Sequence, residues 1–148
     1  MAGIRVVAQT AEIATGTSAK TLLQIIAAAN HRVLIKEFSI SFDGTSNTAA
    51  PIIVTLLRQS DAGTMSALTL AKVDLDGDET LQTTATHTST GEPTGTVSVL
   101  SEQVHPQGGY TWQAPFGGDI ICNGGDRIGV TVTSGADVNA LVRMVIEE

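Results

Sequence analysis

The feature that most constrains the fold is a two-residue alternation of aliphatic and polar side chains that recurs along the chain. Its clearest instance is DRIGVTVTSG, where Ile128, Val130 and Val132 alternate with glycine and threonine. Successive side chains of a strand point to opposite faces, so the pattern predicts a β-strand with one buried face. The C-terminal VNALVRMVIEE repeats it and adds Leu141 and Val145 as apolar residues on the outer face.

Other segments support the same interpretation. In FSISFDG, Phe38, Ile40 and Phe42 alternate with polar residues, and the segment ends in an Asp-Gly turn signal. The preceding RVLIKE is apolar on both faces, which is typical of a strand at the centre of a sheet or of one whose second face is covered. KTLLQIIAAAN fits a helix or a two-sided strand, and the short ANHR turn after it favours the strand.

The number and spacing of these segments predict an all-β fold. A chain of 148 residues fits one domain. About eight or nine short antiparallel strands with long connections favour a jelly-roll-type two-sheet β-sandwich over 21–148. We expect a short helix near 66–70. Residues 1–20 fit an N-terminal arm, an extra edge strand or a frayed terminus.

Charge and hydropathy argue against two classes of partner. The net charge is −7, and the eight basic residues are spread along the chain, so we expect no nucleic-acid partner. No apolar run reaches the roughly 20 residues of a membrane span, so we expect no membrane partner, and the N-terminus lacks a secretory apolar core. We therefore expect a protein that is made and used without export.

The acidic segment DLDGDE is a weak candidate for a calcium site through Asp74, Asp76 and Asp78. An EF-hand loop requires glycine at its sixth position and glutamate at its twelfth. Counting from Asp74, Gly77 is fourth and Ala85 is twelfth, so that motif is absent. A solvated turn is the preferred interpretation, and no metal or cofactor is expected.

No catalytic signature is present in the sequence. His31, His87 and His105 are far apart and lack metal-ligand spacing, and no GxSxG elbow exists. Cys122 follows an apolar run, which favours a buried, unreactive thiol. These residues predict a protein that is not an enzyme.

The segment HPQGGYTWQAPFGG holds the only Trp and the only Tyr of the chain. Tyr110 and Trp112 are two residues apart, so they share one face of a strand. Exposed rings would form a platform for stacking sugars, as in a carbohydrate-binding module. The preferred interpretation is that the rings cover an end of the sandwich or a subunit contact.

Three stretches resemble a known group of proteins. TLLQIIAAANHRVLIKEFSISFDGT, IIVTLLRQSDAGTMSALTLAKVD and HPQGGYTWQAPFGGDIICNGGDRIGVTVT, with the closing VIEE, are similar to the capsid decoration proteins of tailed phages, also called cement or auxiliary head proteins. The likeness covers residues from about 18 to the C-terminus and contains no catalytic motif. Small β-proteins of phage tails and baseplates are the related alternative.

The resemblance implies a jelly-roll protein that is made in the host cytoplasm and sits as a homotrimer on the outer surface of a virion head, bound to the major capsid protein. An apolar flank would then join the subunits. Candidates for that trimer interface are Val33, Ile35, Tyr110, Trp112, Phe116, Leu141 and Val145. Candidates for an arm that binds the capsid protein by strand addition are Ile4, Val6, Val7 and Ile13.

Overall fold

The computed structural model describes residues 3–44, 50–74 and 77–148, and every regular element among them is a β-strand. Val, Ile and Thr favour this outcome because β-branched side chains keep one preferred rotamer on a pleated surface. The strands are β1 (Arg5–Gln9), β2 (Ile13–Ala14), β3 (Lys20–Ile26), β4 (Val33–Phe42), β5 (Ile52–Gln59), β6 (Thr64–Leu68), β7 (Ala71–Lys72), β8 (Thr84–Gly91), β9 (Gly95–Val104), β10 (Gly109–Gln113), β11 (Ile120–Cys122), β12 (Arg127–Thr133) and β13 (Asn139–Glu147).

The strands form two antiparallel sheets that pack face to face. The first sheet has the order β10-β4-β13-β1-β7, with β11 also paired to β4 and β2 also paired to β13. The second sheet has the order β6-β8-β3-β12-β5-β9. The apolar faces of both sheets meet in one core, so the predicted two-sheet sandwich is confirmed.

Four strand pairs nest inside one another along the chain. They are β1 with β13, β3 with β12, β4 with β10, and β5 with β9. Successive pairs alternate between the first and the second sheet. The chain is therefore one long hairpin wrapped across two layers, which is the jelly-roll arrangement that the sequence predicts. Strands β6, β7 and β8 are an insertion between β5 and β9.

The alternation in the sequence corresponds to the two sides of each strand. In β12, Ile128, Val130 and Val132 are fully buried, and in β13 Val142 and Met144 are fully buried. A fully buried side chain of this kind contributes about 1.5–3 kcal/mol relative to an exposed one. The core is therefore built mainly from aliphatic side chains.

Two ambiguous segments are resolved as strands. The KTLLQIIAAAN segment forms β3, which confirms the preferred interpretation. The helix expected near 66–70 is wrong, because residues 64–68 form β6 and pair with β8. Pairing with a neighbouring strand decided this conformation, and the local apolar spacing did not reveal it.

The N-terminal segment is an integral part of the first sheet. Strand β1 pairs with β13 from Arg5 to Gln9, and on its other side β7 pairs with Val6 and Val7. The backbone of Ile4 extends this ladder through two hydrogen bonds of 2.9 Å with Glu148. Residues 4–9 are thus tied to the C-terminal end of the chain.

A buried polar network lies on the outer face of the second sheet. The Gln24 Nε2 donates to Gln59 Oε1 at 2.8 Å, and the Gln59 Nε2 donates to Thr21 Oγ1 at 3.0 Å. Gly129 makes room for this network, since a Cβ there would lie 2.3 Å from Gln59 Oε1. The glycine that interrupts the polar side of DRIGVTVTSG therefore has a packing role.

Neighbouring isoleucines of β5 provide a matched test of the sandwich. Ile52 is 0% exposed and Ile53 is 42% exposed. We expect Ile52→Ala to lower the free energy of unfolding by about 2–5 kcal/mol, because it leaves a cavity between the sheets. Ile53→Ala should cost below about 1 kcal/mol. Urea denaturation of both variants measures the difference, and equal losses would contradict the assigned faces.

Candidate functional site

The aromatic segment forms one edge of the first sheet. Strand β10 pairs with residues 37–41 of β4, and β11 pairs with residues 33–35 of the same strand. Both strands run along the same side of β4. Between them, residues 114–119 form a loop that departs from this edge of the sheet, called the excursion below. The amide of Ala114 still donates to Lys36 O at 2.9 Å, so the excursion begins directly at the ladder.

Tyr110 and Trp112 cover the open flank between the two sheets. They lie opposite Ile40 and Phe38, whose side chains are buried in the core, and so share the inward face of the first sheet. The rings of Tyr110 and Phe38 are tilted at 54° with centroids 6.3 Å apart. Both residues are half-buried and pack against the core, which favours a covering role over an outward platform for sugars.

The Tyr110 hydroxyl reaches toward the second sheet. It lies beside Glu102 on β9, the edge strand of that sheet. Burial raises the pKa of Tyr110 above 10.0, and the nearby Glu102 charge adds to that increase because it disfavours the phenolate. Tyr110 therefore covers the apolar edge of the core with its ring and reaches the second sheet with its hydroxyl. We call this arrangement the tyrosine clasp.

Residues 115–118, called the Phe116 turn below, form the tip of the excursion. The Gly118 amide donates to Pro115 O at 2.8 Å, and Gly117 has a φ of +74°, which is in the left-handed region that favours glycine. Phe116 is fully exposed. A constrained turn thus holds an aromatic ring in solvent, where burial against a partner would contribute about 1.5–3 kcal/mol.

An ion pair anchors the base of this excursion. Lys36 Nζ lies 2.9 Å from Asp119 Oδ2. This hydrogen bond raises the pKa of Lys36 despite the opposing effect of desolvation, and the charge of Glu147 raises it further. The lysine thereby holds both ends of the loop close to β4.

A shallow recess lies on the outward face of the first sheet. Its floor is formed by short side chains on β4 and β10, whereas taller side chains on β13 form one wall. The depression has a volume of about 370 Å³. We call it the serine recess, and its lining includes Ser39, Ser41, Gly109, Thr111, Leu141 and Arg143.

Charged side chains around this outward face pair with one another. Three basic and three acidic residues form four ion pairs; three of the pairs are linked through Lys36 and Glu147, and the Arg143–Glu37 pair is separate. Such exposed pairs contribute little to stability, about 0–1 kcal/mol each. The pairs are Arg143–Glu37, Lys36–Asp119, Lys36–Glu147 and Arg5–Glu147.

The interface candidates from the sequence fall into different environments. Val33 and Ile35 are fully buried in the chain's own core, so their placement at a subunit interface is wrong. Both lie on the inward face of β4, and the apolar residue on its outward face is Leu34, which is half-buried. Leu141 is 41% exposed and Val145 is half-buried, both on the outward face of β13.

The four candidates for the capsid-binding arm also lie in different environments. Val6 and Ile13 are buried in the core, so they are not available to a capsid protein, and their assignment to a free arm is wrong. The reason is that β1 and β2 pair with β13 and turn these side chains inward. Ile4 and Val7 are half-buried.

The acidic segment already contains a cationic group. Lys72 Nζ donates to Gly77 O at 2.9 Å and also to Glu79 O. Carbonyl oxygens of this kind are what a calcium ion would use, so the ammonium occupies that role in the loop. Asp74 and Asp78 are exposed, and Asp76 lies outside the described residues.

The remaining reactive groups do not converge. His31 lies in the β3–β4 turn, His87 in β8 and His105 directly after β9. Among residues 3–44, 50–74 and 77–148, no three His, Cys, Asp or Glu side chains are grouped as a metal ion requires. Cys122 is buried, and burial raises the pKa of its thiol to about 11, which makes it a weak nucleophile at neutral pH.

Sequence reasoning missed the serine recess and the ion pairs around it. The alternation in FSISF already indicated that Ser39 and Ser41 point outward. It could not indicate that Leu141 and Arg143 stand beside them, because that register joins residues about a hundred positions apart.

Comparisons with protein families, curated proteins and solved structures find no match to this chain. The described part of the chain contains no helix of the length and apolar character needed to cross a bilayer. Function is therefore inferred from the chain's own residues and geometry.

Because Tyr110 is the only tyrosine, alkaline titration followed by ultraviolet absorbance reports on it alone. We expect a native midpoint above 10.0, and Glu102→Gln should lower it without restoring 10.0, since burial is the larger cause. The raised pKa means that this group's contribution to stability declines as the pH rises above 10. Glu12→Gln is the control, and a midpoint unaffected by Glu102→Gln would contradict the clasp.

Proposed function

We propose that this protein is a structural component of a phage virion, a homotrimer that decorates and stabilises the outer surface of the head. The observation that carries the proposal is the outward face of the first sheet. That face is partly exposed to solvent, has two serines, Ser39 and Ser41, on β4 and has charged side chains that pair with one another. A surface of this kind suits close packing against another protein.

The edges of the two sheets are poorly suited to strand addition, which favours assembly through the faces of the sheets. Strand β9 contains two register shifts against β5, and the β10–β11 edge is interrupted by the excursion at residues 114–119. The opposite edges of the two sheets, β6 and β7, are short. Bulged, interrupted and short edges discourage strand addition between copies, which matters for a protein crowded on a shell.

The charge distribution also fits a virion surface. The net charge of −7 favours solubility and keeps densely placed copies from aggregating. The ion pairs of the first-sheet face reduce the electrostatic repulsion that a contact there would cost. The partner on the shell is the major capsid protein, as the resemblance to decoration proteins implies.

The alternative of a carbohydrate-binding module has less support. It requires Tyr110 and Trp112 to present their faces to solvent, whereas both are half-buried on the inward side of the edge strand. The Tyr110 hydroxyl is also engaged by Glu102. We therefore retain one proposed function.

The proposal predicts the mass and the binding behaviour of the purified protein. Sedimentation equilibrium should give about three times the chain mass of 15.3 kDa. The protein should also co-sediment with heads of the encoding phage after their outer proteins have been stripped. Heat-unfolded protein is the control for trapping. A monomer that does not co-sediment with the heads would contradict the proposal.

A further inference from the structure

The Asn123–Gly124 pair lies in a tight turn between β11 and β12. The Asp126 amide donates to Asn123 O at 3.0 Å, and Gly125 has a φ of +83°, as a type II turn requires of its third residue. Asn123 is exposed, and among the described residues its side chain has no hydrogen-bond partner. In the same part of the chain the Gly124 amide has no acceptor. The side-chain amide and the backbone nitrogen that follows it are therefore both available for reaction.

The fold requires glycine directly after this asparagine. A Cβ on residue 124 would lie 2.5 Å from Ala29 O and 3.0 Å from Ala28 O, which are backbone atoms of the β3–β4 turn. Glycine also leaves its own amide nitrogen unshielded by a side chain, and an asparagine before glycine is for that reason the most prone to lose its amide. The packing of the turn therefore keeps a reactive pair in the sequence.

We propose that Asn123 is a site of spontaneous deamidation. The Gly124 nitrogen attacks Asn123 Cγ, the bond from Cγ to the side-chain nitrogen breaks, and ammonia leaves with the proton of the Gly124 amide. Water then opens the resulting succinimide ring at either of its two carbonyl carbons. Opening at Cγ gives aspartate, and opening at the main-chain carbonyl gives isoaspartate, so both products carry an added negative charge. The inference is independent of the proposed function, because the reaction takes place within one chain.

The turn has to open before the ring can close. The Gly124 nitrogen and Asn123 O belong to one peptide unit, which the hydrogen bond from the Asp126 amide holds in place. Ring closure rotates this unit about the Cα–C bond of Asn123, because the attack needs a close and aligned approach to Cγ. We therefore expect the folded protein to react more slowly than the unfolded chain, at a rate set by local opening of the turn.

The same turn joins the two sheets at this end of the sandwich. It connects β11 of the first sheet to β12 of the second, and the β3–β4 turn beside it connects the same two sheets. The Gly125 amide donates to Ala27 O and Ala28 O at 3.2 Å. In return, the Ala27 amide donates to Asp126 O at 3.1 Å. An isoaspartate adds a methylene to the main chain and so prevents the turn from closing again, which should expose the adjacent Cys122, a residue that is 0% exposed in the intact fold.

Prolonged incubation of the folded protein at mildly alkaline pH tests the proposal. Peptide mapping by mass spectrometry measures the loss of each side-chain amide, and an isoaspartate methyltransferase assay identifies the product. We expect conversion at Asn123, faster in urea than in the folded state, and little conversion at Asn30 or Asn139. Asn30 is an exposed turn residue that precedes histidine, and the Asn139 side chain donates to Asp43 Oδ2 at 2.9 Å.

Two variants separate the reaction from its structural effect. Asn123→Gln keeps a side-chain amide but would have to close a larger ring, so it should not convert. Freshly purified Asn123→Asp carries the added charge without the longer main chain. Because Cys122 is the only cysteine, a thiol reagent reports on it alone. We expect its reaction rate to rise with the isoaspartate content of the aged wild-type protein and to stay low in both variants.

Retention of the Asn123 amide in the folded protein, under conditions in which the unfolded chain converts, would overturn the proposal. Equal conversion at Asn30 would also count against it, since the pair with Gly124 would then have no special role. Conversion that leaves Cys122 unreactive would contradict the predicted opening of the turn. A monomer with no affinity for heads would overturn the proposed function alone, because none of these readouts depends on assembly.

Discussion

The pairing of β13 between β4 and β1 is the interaction on which the rest of the structure depends. It closes the outermost pair of the nested hairpin and joins the two ends of the chain. It also turns Val142 and Met144 into the core while Leu141 and Arg143 stand on the outside. One strand thus supplies part of the core and one wall of the recess, so fold and surface share the same register.

That register has consequences for assembly. The sheet edges are short, bulged or interrupted among the described residues, which leaves faces and loops as the surfaces open to partners. Six charged side chains on or beside the outward face of the first sheet pair within the chain. Docking through this face would cost little conformational order, because the paired strands already hold its side chains in place.

Much of the fold could be predicted from the sequence because alternation is a local property. The inward residues of β12 and β13 and the sandwich class follow from it directly. The strand at 64–68 could not be predicted from the sequence, because its conformation depends on pairing with β8. Val33 and Ile35 were predicted at a subunit interface because a segment that is apolar on both faces does not show which face packs into the chain's own core. The recess required the register between β4 and β13, which no local pattern contains.

Hydroxyl-radical footprinting at increasing protein concentration tests the proposal that the chain assembles through its first-sheet face. Oxidation is quantified by mass spectrometry at Phe116 and Leu141, with Ile53 on the second sheet as the internal reference. The account predicts that oxidation of Phe116 and Leu141 decreases together as the protein assembles, whereas oxidation of Ile53 stays constant. Equal oxidation of Phe116 and Leu141 in the dilute and the assembled protein would contradict it.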